Sequence, residues 1–305
     1  MADVASLKWR GLASTPKFYA KSVTCATSAS LPCIMRVNIL RRRRRFQMTD
    51  GDAALYLKFE KERTRPAIDL LARISNENPR TCVDVGCGPG NSTELLVNRF
   101  PEANITGLDQ SPDMLAAAKL RLPHVDFEQI DLTHWRPGRP YDVIFASGSL
   151  QWLPDHEALF PRLASLLTVG GCLAVQMPDT VREPTRALMR MVAAGGSWTA
   201  KLMPVATSRP RIGSIKDYYR ILATSCGSID VWHTTYFHTL DNASKIVEWM
   251  KGCGLGPFLA QLDQDERRRF LEEYEARISA AYPPQIDGKV HLAVPTLFIV
   301  ARRSI

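Results

Sequence analysis

Cysteine pairs are missing from this sequence. Its seven Cys stand singly, with no C-x-x-C spacing among them. That removes the usual signs of a structural zinc site or a disulfide framework and suits reduced thiols in a cytosol-like compartment. No apolar run approaches the roughly 20 residues that a membrane-spanning helix needs. There is no internal repeat, and no low-complexity run beyond the N-terminus. The body of the chain also lacks net charge. Residues 1–47 hold ten Lys or Arg, five of them Arg41 to Arg45, against one acid, Asp3; the remainder holds 29 bases and 30 acids. The overall charge of +8 therefore belongs to the N-terminal segment, and the body has no basic bias toward nucleic acid.

What is present is ordinary for a globular protein with a sizeable core: 305 residues, 45% hydrophobic and 23% charged. Residues 1–47 have weak periodicity and many Ser, Thr and Ala. Three readings compete for them: an organelle transit peptide, a nucleic-acid or nuclear-targeting tail built on Arg41–Arg45, or an upstream start with Met48 the natural first residue. The third is favoured, because Met48-Thr49-Asp50 leads straight into well-patterned sequence. In each case the segment is expected to be disordered and the folded domain to span 48–305, in the cytoplasm unless residues 1–47 act as a transit peptide.

Along that domain, Leu55 to Leu71 suggests a helical segment with a break before Pro66. Short strands are expected at Cys82–Val85, Asn104–Leu108, Val125–Ile130, Tyr141–Ala146 and Cys172–Met177. Helices are expected between them: Ser92–Phe100, one capped by Ser111 with Pro112 at its first position and running to Leu122, and one opened by Pro154-Asp155 and ended by Gly170-Gly171. Such alternation means βαβ units and a parallel sheet. Beyond Asp179 the pattern loosens: a helix at Glu183–Ala194, a loop-like stretch from Gly195 to Gly213, and a helix at Ser214–Cys226. A strand at Ile229–Tyr236, helices at Lys245–Met250 and Asp263–Tyr282, and a strand at Leu297–Arg302 complete the chain.

The stretch Thr81–Asn91 reads T-C-V-D-V-G-C-G-P-G-N: a strand, a glycine turn and a helix start. Glycines accept positive φ and let a ligand approach the backbone, while the next helix's first N–H groups face the same spot. The nicotinamide fingerprint G-x-G-x-x-G would need glycine at Asn91. Asp84, two residues before Gly86, would also repel a pyrophosphate, whereas it suits a cationic ligand. Asp109 and Asp131 end the next two strands, so three acids surround one crevice where open α/β sheets bind ligands. Asp109 can accept from both ribose hydroxyls. Asp131 can accept from an adenine amino group, with Leu132 offering its N–H.

The motif V-D-V-G-C-G-P-G-N-S-T (83–93) resembles the glycine motif of class I S-adenosylmethionine (SAM) methyltransferases. More particular segments resemble the trans-aconitate 2-methyltransferase family, from Met48 to Arg303: L-Y-L-K-F-E-K-E-R-T-R-P-A (55–67), S-L-Q-W-L-P-D-H (149–156), L-A-V-Q-M-P-D (173–179), V-W-H-T-T-Y-F-H (231–238) and L-F-I-V-A-R-R (297–303). The resemblance implies an α/β, Rossmann-like class I fold: a mostly parallel seven-stranded sheet with helices on both faces and a helical cap, in which 180–220 is the expected insert. It implies SAM as cofactor, held by Asp84, Gly86, Gly88, Gly90, Asp109, Gln110, Asp131, Leu132, Ala146 and Gln151. It also implies methyl transfer to one carboxylate of a small polycarboxylate. One departure is His233, where Arg is expected in relatives.

Such an acceptor is already ionised, so no catalytic acid or base and no metal are expected; alignment and desolvation carry the rate. The remaining carboxylates need fixed partners, best supplied by Arg. Candidates are Arg63, Arg65 and Arg182, with Trp152 at the pocket mouth and Tyr218, Tyr219, His233, Tyr236 and His238 as neutral donors. The alternatives are a methyltransferase for another free carboxylate of the malonyl-carrier type, a methyltransferase acting on nucleic acid, and a SAM-binding module without catalysis. No nucleic-acid or membrane partner is expected.

Overall fold

Apolar residues alternate along the central strands, so that these strands feed a core on each face of the sheet. The structure, a computed structural model, describes residues 52–208 and 211–304. The expectations for residues 1–47 and for a start at Met48 fall outside the described residues. Strands β1 (Thr81–Val85), β2 (Asn104–Asp109), β3 (Asp126–Gln129), β4 (Tyr141–Ser147), β5 (Leu167–Pro178), β6 (Cys226–Leu240) and β7 (Val290–Arg303) form one seven-stranded sheet in the order β3-β2-β1-β4-β5-β7-β6. β1 to β5 pair in parallel, and β7 runs antiparallel to both β5 and β6.

The helices are α1 (Asp52–Leu57), α2 (Glu60–Leu71), α3 (Asn91–Arg99), α4 (Pro112–Arg121), α5 (His156–Ser165), α6 (Pro184–Gly195), α7 (Thr199–Thr207), α8 (Ile215–Leu222), α9 (Ala243–Met250), α10 (Gly256–Leu259) and α11 (Gln264–Ala281). On one face of the sheet, Val143 and Phe145 of β4 pack with Ala67 and Leu70 of α2 and Leu96 of α3. On the other, Ile144 and Ala146 pack with Phe160 and Leu163 of α5 and Tyr218 and Leu222 of α8. Phe145 and Phe160 are fully buried, and truncating either to Ala would cost about 3–5 kcal/mol. A separate core joins Met189 and Val192 of α6, Leu202 of α7, Trp249 of α9 and Phe270 of α11 to the far ends of β6 and β7. Residues 180–220 thus divide: α6 and α7 belong to this second core, while α8 packs beside α5 on the sheet.

Several local expectations are corrected. The helical break falls at residues 58–59, and α2 runs through Pro66. Burial of Pro66, Ala67, Leu70 and Leu71 offsets the backbone bond that proline cannot make. Gly170-Gly171 do not end a helix: α5 stops at Ser165, and the glycines lie in a register shift of β5 opposite Tyr141 and Val143. Gly170 has φ +76°, and a Cβ on Gly171 would sit 2.9 Å from the Thr168 carbonyl oxygen. The stretch 195–213 contains α7, tied down by Trp198, which is buried and donates to the Val192 carbonyl at 2.8 Å. β6 and β7 run well beyond Ile229–Tyr236 and Leu297–Arg302, to 15 and 14 residues.

Candidate active site

The glycine turn after β1 has all three glycines at positive φ: Gly86 +78°, Gly88 +55° and Gly90 +87°. Each does a different thing. A Cβ on Gly86 would overlap Ser149, whose hydroxyl donates to the Val85 carbonyl at 2.5 Å. A Cβ on Gly90 would lie 3.2 Å from Ala118 of α4. Gly88 has nothing within 4 Å of its would-be Cβ, so its backbone is open to a ligand. The N–H groups of Gly86 and Cys87 donate to the Leu108 carbonyl at 2.7 and 2.9 Å, which locks the turn onto β2.

Beside this turn lies a cavity of about 560 Å³, within the range of small-ligand sites. Gly86, Gly88, Asp109, Gln110, Met114 and Leu132 line one part of it. Asp109 accepts from the Gly88 N–H with Oδ2 and from the Ser111 N–H with Oδ1, both at 2.9 Å. Burial raises its carboxyl above the usual range, against those backbone donors. Ser147, Gly148, Ser149, Gln151 and Trp152 follow from the end of β4. Gln151 donates from Nε2 to the Gly148 carbonyl at 2.6 Å, and Gln176 from Nε2 to Ser147 Oγ at 2.9 Å. The Oε1 atoms of both glutamines are buried without a hydrogen-bond partner.

Four residues read as cofactor contacts do not line the cavity: Gly90, which faces α4, and Asp84, Asp131 and Ala146. Asp84 is fully buried behind the turn and does not line the cavity. Its Oδ2 accepts from Ser92 and Thr93 hydroxyls at 2.7 Å each, its Oδ1 has no partner, and burial pushes the carboxyl up to about 6. Asp131 caps its own turn, accepting from the Thr133 N–H at 3.0 Å. Ala146 is fully buried in the core below the site.

The other part of the cavity carries Arg63 of α2 and Arg186 and Arg190 of α6. Arg63 lies between the rings of Tyr56 and Trp249, 4.5 and 4.6 Å from their centroids. Arg186 sits against the residues after α9, and burial with the nearby positive charges of Arg190 and Arg63 lowers its pKa. No ion pair among the described residues joins these three to a carboxylate. His238 lines the same wall, stacked 5.0 Å from Trp249, and burial lowers its pKa.

Of the expected acceptor contacts, Arg63 and Trp152 reach the cavity and most others do not. Arg65 lies exposed, 5.1 Å over the Tyr236 ring, and Arg182 is exposed outside the lining. Tyr236 donates to Asp69 Oδ2 at 2.6 Å. Tyr218 is buried between α8 and α5, hydrogen-bonded to His156 Nδ1 at 2.6 Å. His233 is 3.9 Å from Asp179, and Tyr219 is 58% exposed. Arg186 and Arg190 line the cavity and were not among the residues that the sequence singled out. The only sequence sign of Arg186 is remote: Gly252 and Gly254 in the K-G-C-G-L run that follows α9. Among the described residues, no three His, Cys, Asp or Glu gather as a metal site would require, and no helix is long and apolar enough to cross a membrane.

A family model described as a methyltransferase domain matches residues 83–173. The chain is 55% identical over 257 residues to a trans-aconitate 2-methyltransferase of Methylobacterium nodulans, covering 84% of this chain and 100% of that one. It is 51% identical to that of Rhodopseudomonas palustris strain BisB18, covering 83% and 99%, and 48% identical to that of Yersinia pestis, covering 83% and 98%. Among solved structures, phosphoethanolamine N-methyltransferase 2 of Haemonchus contortus, in complex with SAM, shares the fold at TM-score 0.53 and 17% identity, over 86% of this chain and 59% of that one. The YcgJ protein of Bacillus subtilis does so at TM-score 0.51 and 12% identity, over 78% and 97%.

Proposed function

The chain belongs to the trans-aconitate 2-methyltransferase family, and from that premise we propose how its cavity transfers a methyl group from SAM to one carboxylate of trans-aconitate, giving a monomethyl ester and S-adenosylhomocysteine. The observation that carries this reading is one chamber lined by two chemically different groups: an open glycine turn with Asp109, and a set of arginines that no ion pair among the described residues joins to a carboxylate.

The residues at the first end fit the cofactor. Gly88 leaves its backbone open, Asp109 keeps acceptor capacity on both oxygens for ribose hydroxyls, and Gln151 Oε1 is a buried acceptor in want of a donor. Gln110 and Leu132 would flank the nucleoside. Asp84 acts at one remove, holding Ser92 and Thr93 at the start of α3. SAM supplies, when bound, a methyl group on a sulfonium that needs no further activation.

The acceptor carboxylate is ionised near neutral pH, so the chain need not remove a proton from it. His238 is therefore a wall residue in this reading, held neutral by burial. The arginine end fixes the acid by charge-assisted hydrogen bonds. Trp152, Met189 and Trp249 also line the cavity and would help to exclude water from it. Alignment of this kind can supply about 7–11 kcal/mol of the barrier.

The reading includes a cytoplasmic location and no nucleic-acid partner. The free thiols Cys82, Cys87, Cys172 and Cys226, among the described residues, suit a reducing compartment, and cell fractionation checks it. The function is tested by incubating the full chain with SAM and trans-aconitate, cis-aconitate, isocitrate or citrate. S-adenosylhomocysteine should appear fastest with trans-aconitate; SAM binding without turnover of any of the four would contradict the reading.

A further inference from the structure

The helix α9 does not end at Met250 but opens into a wider π turn over Lys251–Leu255, reading K-G-C-G-L. Single π turns inside helices concentrate at functional sites because they displace the local backbone. Two glycines are costly in such a place, and here each makes room for a guanidinium. A Cβ on Gly254 would fall inside the guanidinium of Arg186, and a Cβ on Gly252 would lie 3.2 Å from Arg63 Nη2. The same segment also aims the two side chains. Arg63 Nη2 donates to the Trp249 carbonyl at 3.1 Å, and Arg186 Nη2 donates to the Cys253 carbonyl at 3.3 Å, two acceptors one helical turn apart. The aromatic sandwich around Arg63 and a bond from Arg186 Nε to Thr180 Oγ1 at 3.4 Å restrict them further.

Both guanidiniums retain donors. Arg63 Nε and Arg186 Nη1 are buried with no hydrogen-bond partner, and both residues line the cavity. Two arginines that feel each other's charge in a partly desolvated wall are costly unless an anion joins them. An acid with three carboxylates has two to spare after one faces the methyl donor.

We propose that Arg63 and Arg186, set by the glycine π turn 251–255, form a two-guanidinium clamp for the two non-reacting carboxylates, and that this clamp selects tricarboxylates over dicarboxylates. The proposal rests on the carboxyl-methyltransferase reading above. Neither arginine touches the reacting oxygen; each binds the acceptor, and Gly252 and Gly254 are positioning residues acting through them.

The test compares the full-length wild type with Arg186→Gln, Arg186→Lys, Gly254→Ala and the Gly254→Ala/Arg186→Gln double variant. Acceptors are trans-aconitate and two dicarboxylates that lack one of its carboxylates, glutaconate and itaconate. Arg186→Gln should raise KM for trans-aconitate on the order of 100-fold with a much smaller change in kcat, and should erase the wild type's preference over the dicarboxylates. Arg186→Lys, which keeps the charge without the fork, should fall between. Gly254→Ala should resemble Arg186→Gln and add nothing on top of it. The SAM dissociation constant should stay within about twofold in each, which separates the clamp from a folding defect.

An unchanged KM, an equal loss for the dicarboxylates, or additive effects of Gly254→Ala and Arg186→Gln would overturn the clamp. If the wild type turns over none of the acids, the methyltransferase reading is what fails. Calorimetry of trans-aconitate binding then judges the clamp by itself, and equal affinity of wild type and Arg186→Gln would overturn it.

Discussion

Asp109 Oδ2 accepts the backbone N–H of Gly88 at 2.9 Å, so the acid at the end of β2 holds the middle glycine of the turn after β1. Asp109→Ala therefore removes both the shape of the turn and the ribose acceptor. We expect the SAM dissociation constant to rise about 100-fold while the fold persists. Calorimetry with SAM checks this, and an affinity within about threefold of wild type would remove Asp109 from the cofactor site.

Asp84 predicts a pH dependence of stability. Its folded pKa, about 6, lies above the unfolded value of 3.8 because the carboxyl is fully buried. The group thus favours the folded state fully below about pH 4, and that contribution is lost as pH rises through about 6, to a total on the order of 3 kcal/mol. Asp84→Asn has no such titration. Its melting temperature relative to wild type should climb between pH 4.5 and 7.5; parallel curves across that window would show that Asp84 is not buried as described.

The hydroxyl of Tyr218 links two walls of the fold, accepting from the Gly213 N–H at 3.0 Å and meeting His156 Nδ1 at 2.6 Å, while His156 Nε2 meets the Leu150 carbonyl at 3.0 Å. A neutral His156 satisfies the chain with Nε2 donating and Nδ1 accepting from the phenol, and burial lowers its pKa accordingly. Tyr218→Phe leaves a half-buried donor, the Gly213 N–H, and a half-buried acceptor, His156 Nδ1, unpaired. We expect a loss of about 2–3 kcal/mol of stability in denaturant unfolding with KM for trans-aconitate within about twofold. A large KM effect at unchanged stability would return Tyr218 to the acceptor site.

Arg65→Ala offers the matching contrast to the arginines in the cavity. The side chain is exposed over Tyr236, so kcat/KM for trans-aconitate should change less than about twofold. A loss comparable to that of Arg186→Gln would mean that Arg65 turns into the chamber.

The glycine turn and the acid beside it were largely legible in the chain, and the arginine wall of the cavity was not. The run C-V-D-V-G-C-G-P-G announces a strand, a turn and a helix because glycine spacing and apolar alternation are local signals, and Gly86, Gly88 and Asp109 lie where that logic puts them. Asp84 was read on the wrong side of the turn: sequence shows that an acid is there, but not which way a strand end faces. Gly170-Gly171 look like a helix stop, yet they form the bulge of β5, because glycine marks positive φ in either setting. Helix α7 was hidden by weak patterning around Pro204 and is secured by Trp198, a tertiary contact. Arg186 could not be ranked above Arg182 from sequence alone. What distinguishes it is a gap left by Gly254, which is distant in the chain and adjacent in space.

The central claim, one chamber that brings SAM to a tricarboxylate, is met most directly by a competition. The full chain is given limiting SAM and equal amounts of trans-aconitate, cis-aconitate, glutaconate and itaconate, and the methyl esters are counted by mass spectrometry. The account predicts that the trans-aconitate monomethyl ester dominates, with one methyl appearing for each S-adenosylhomocysteine released. An excess of a dicarboxylate ester, or SAM consumed without any ester, would contradict it.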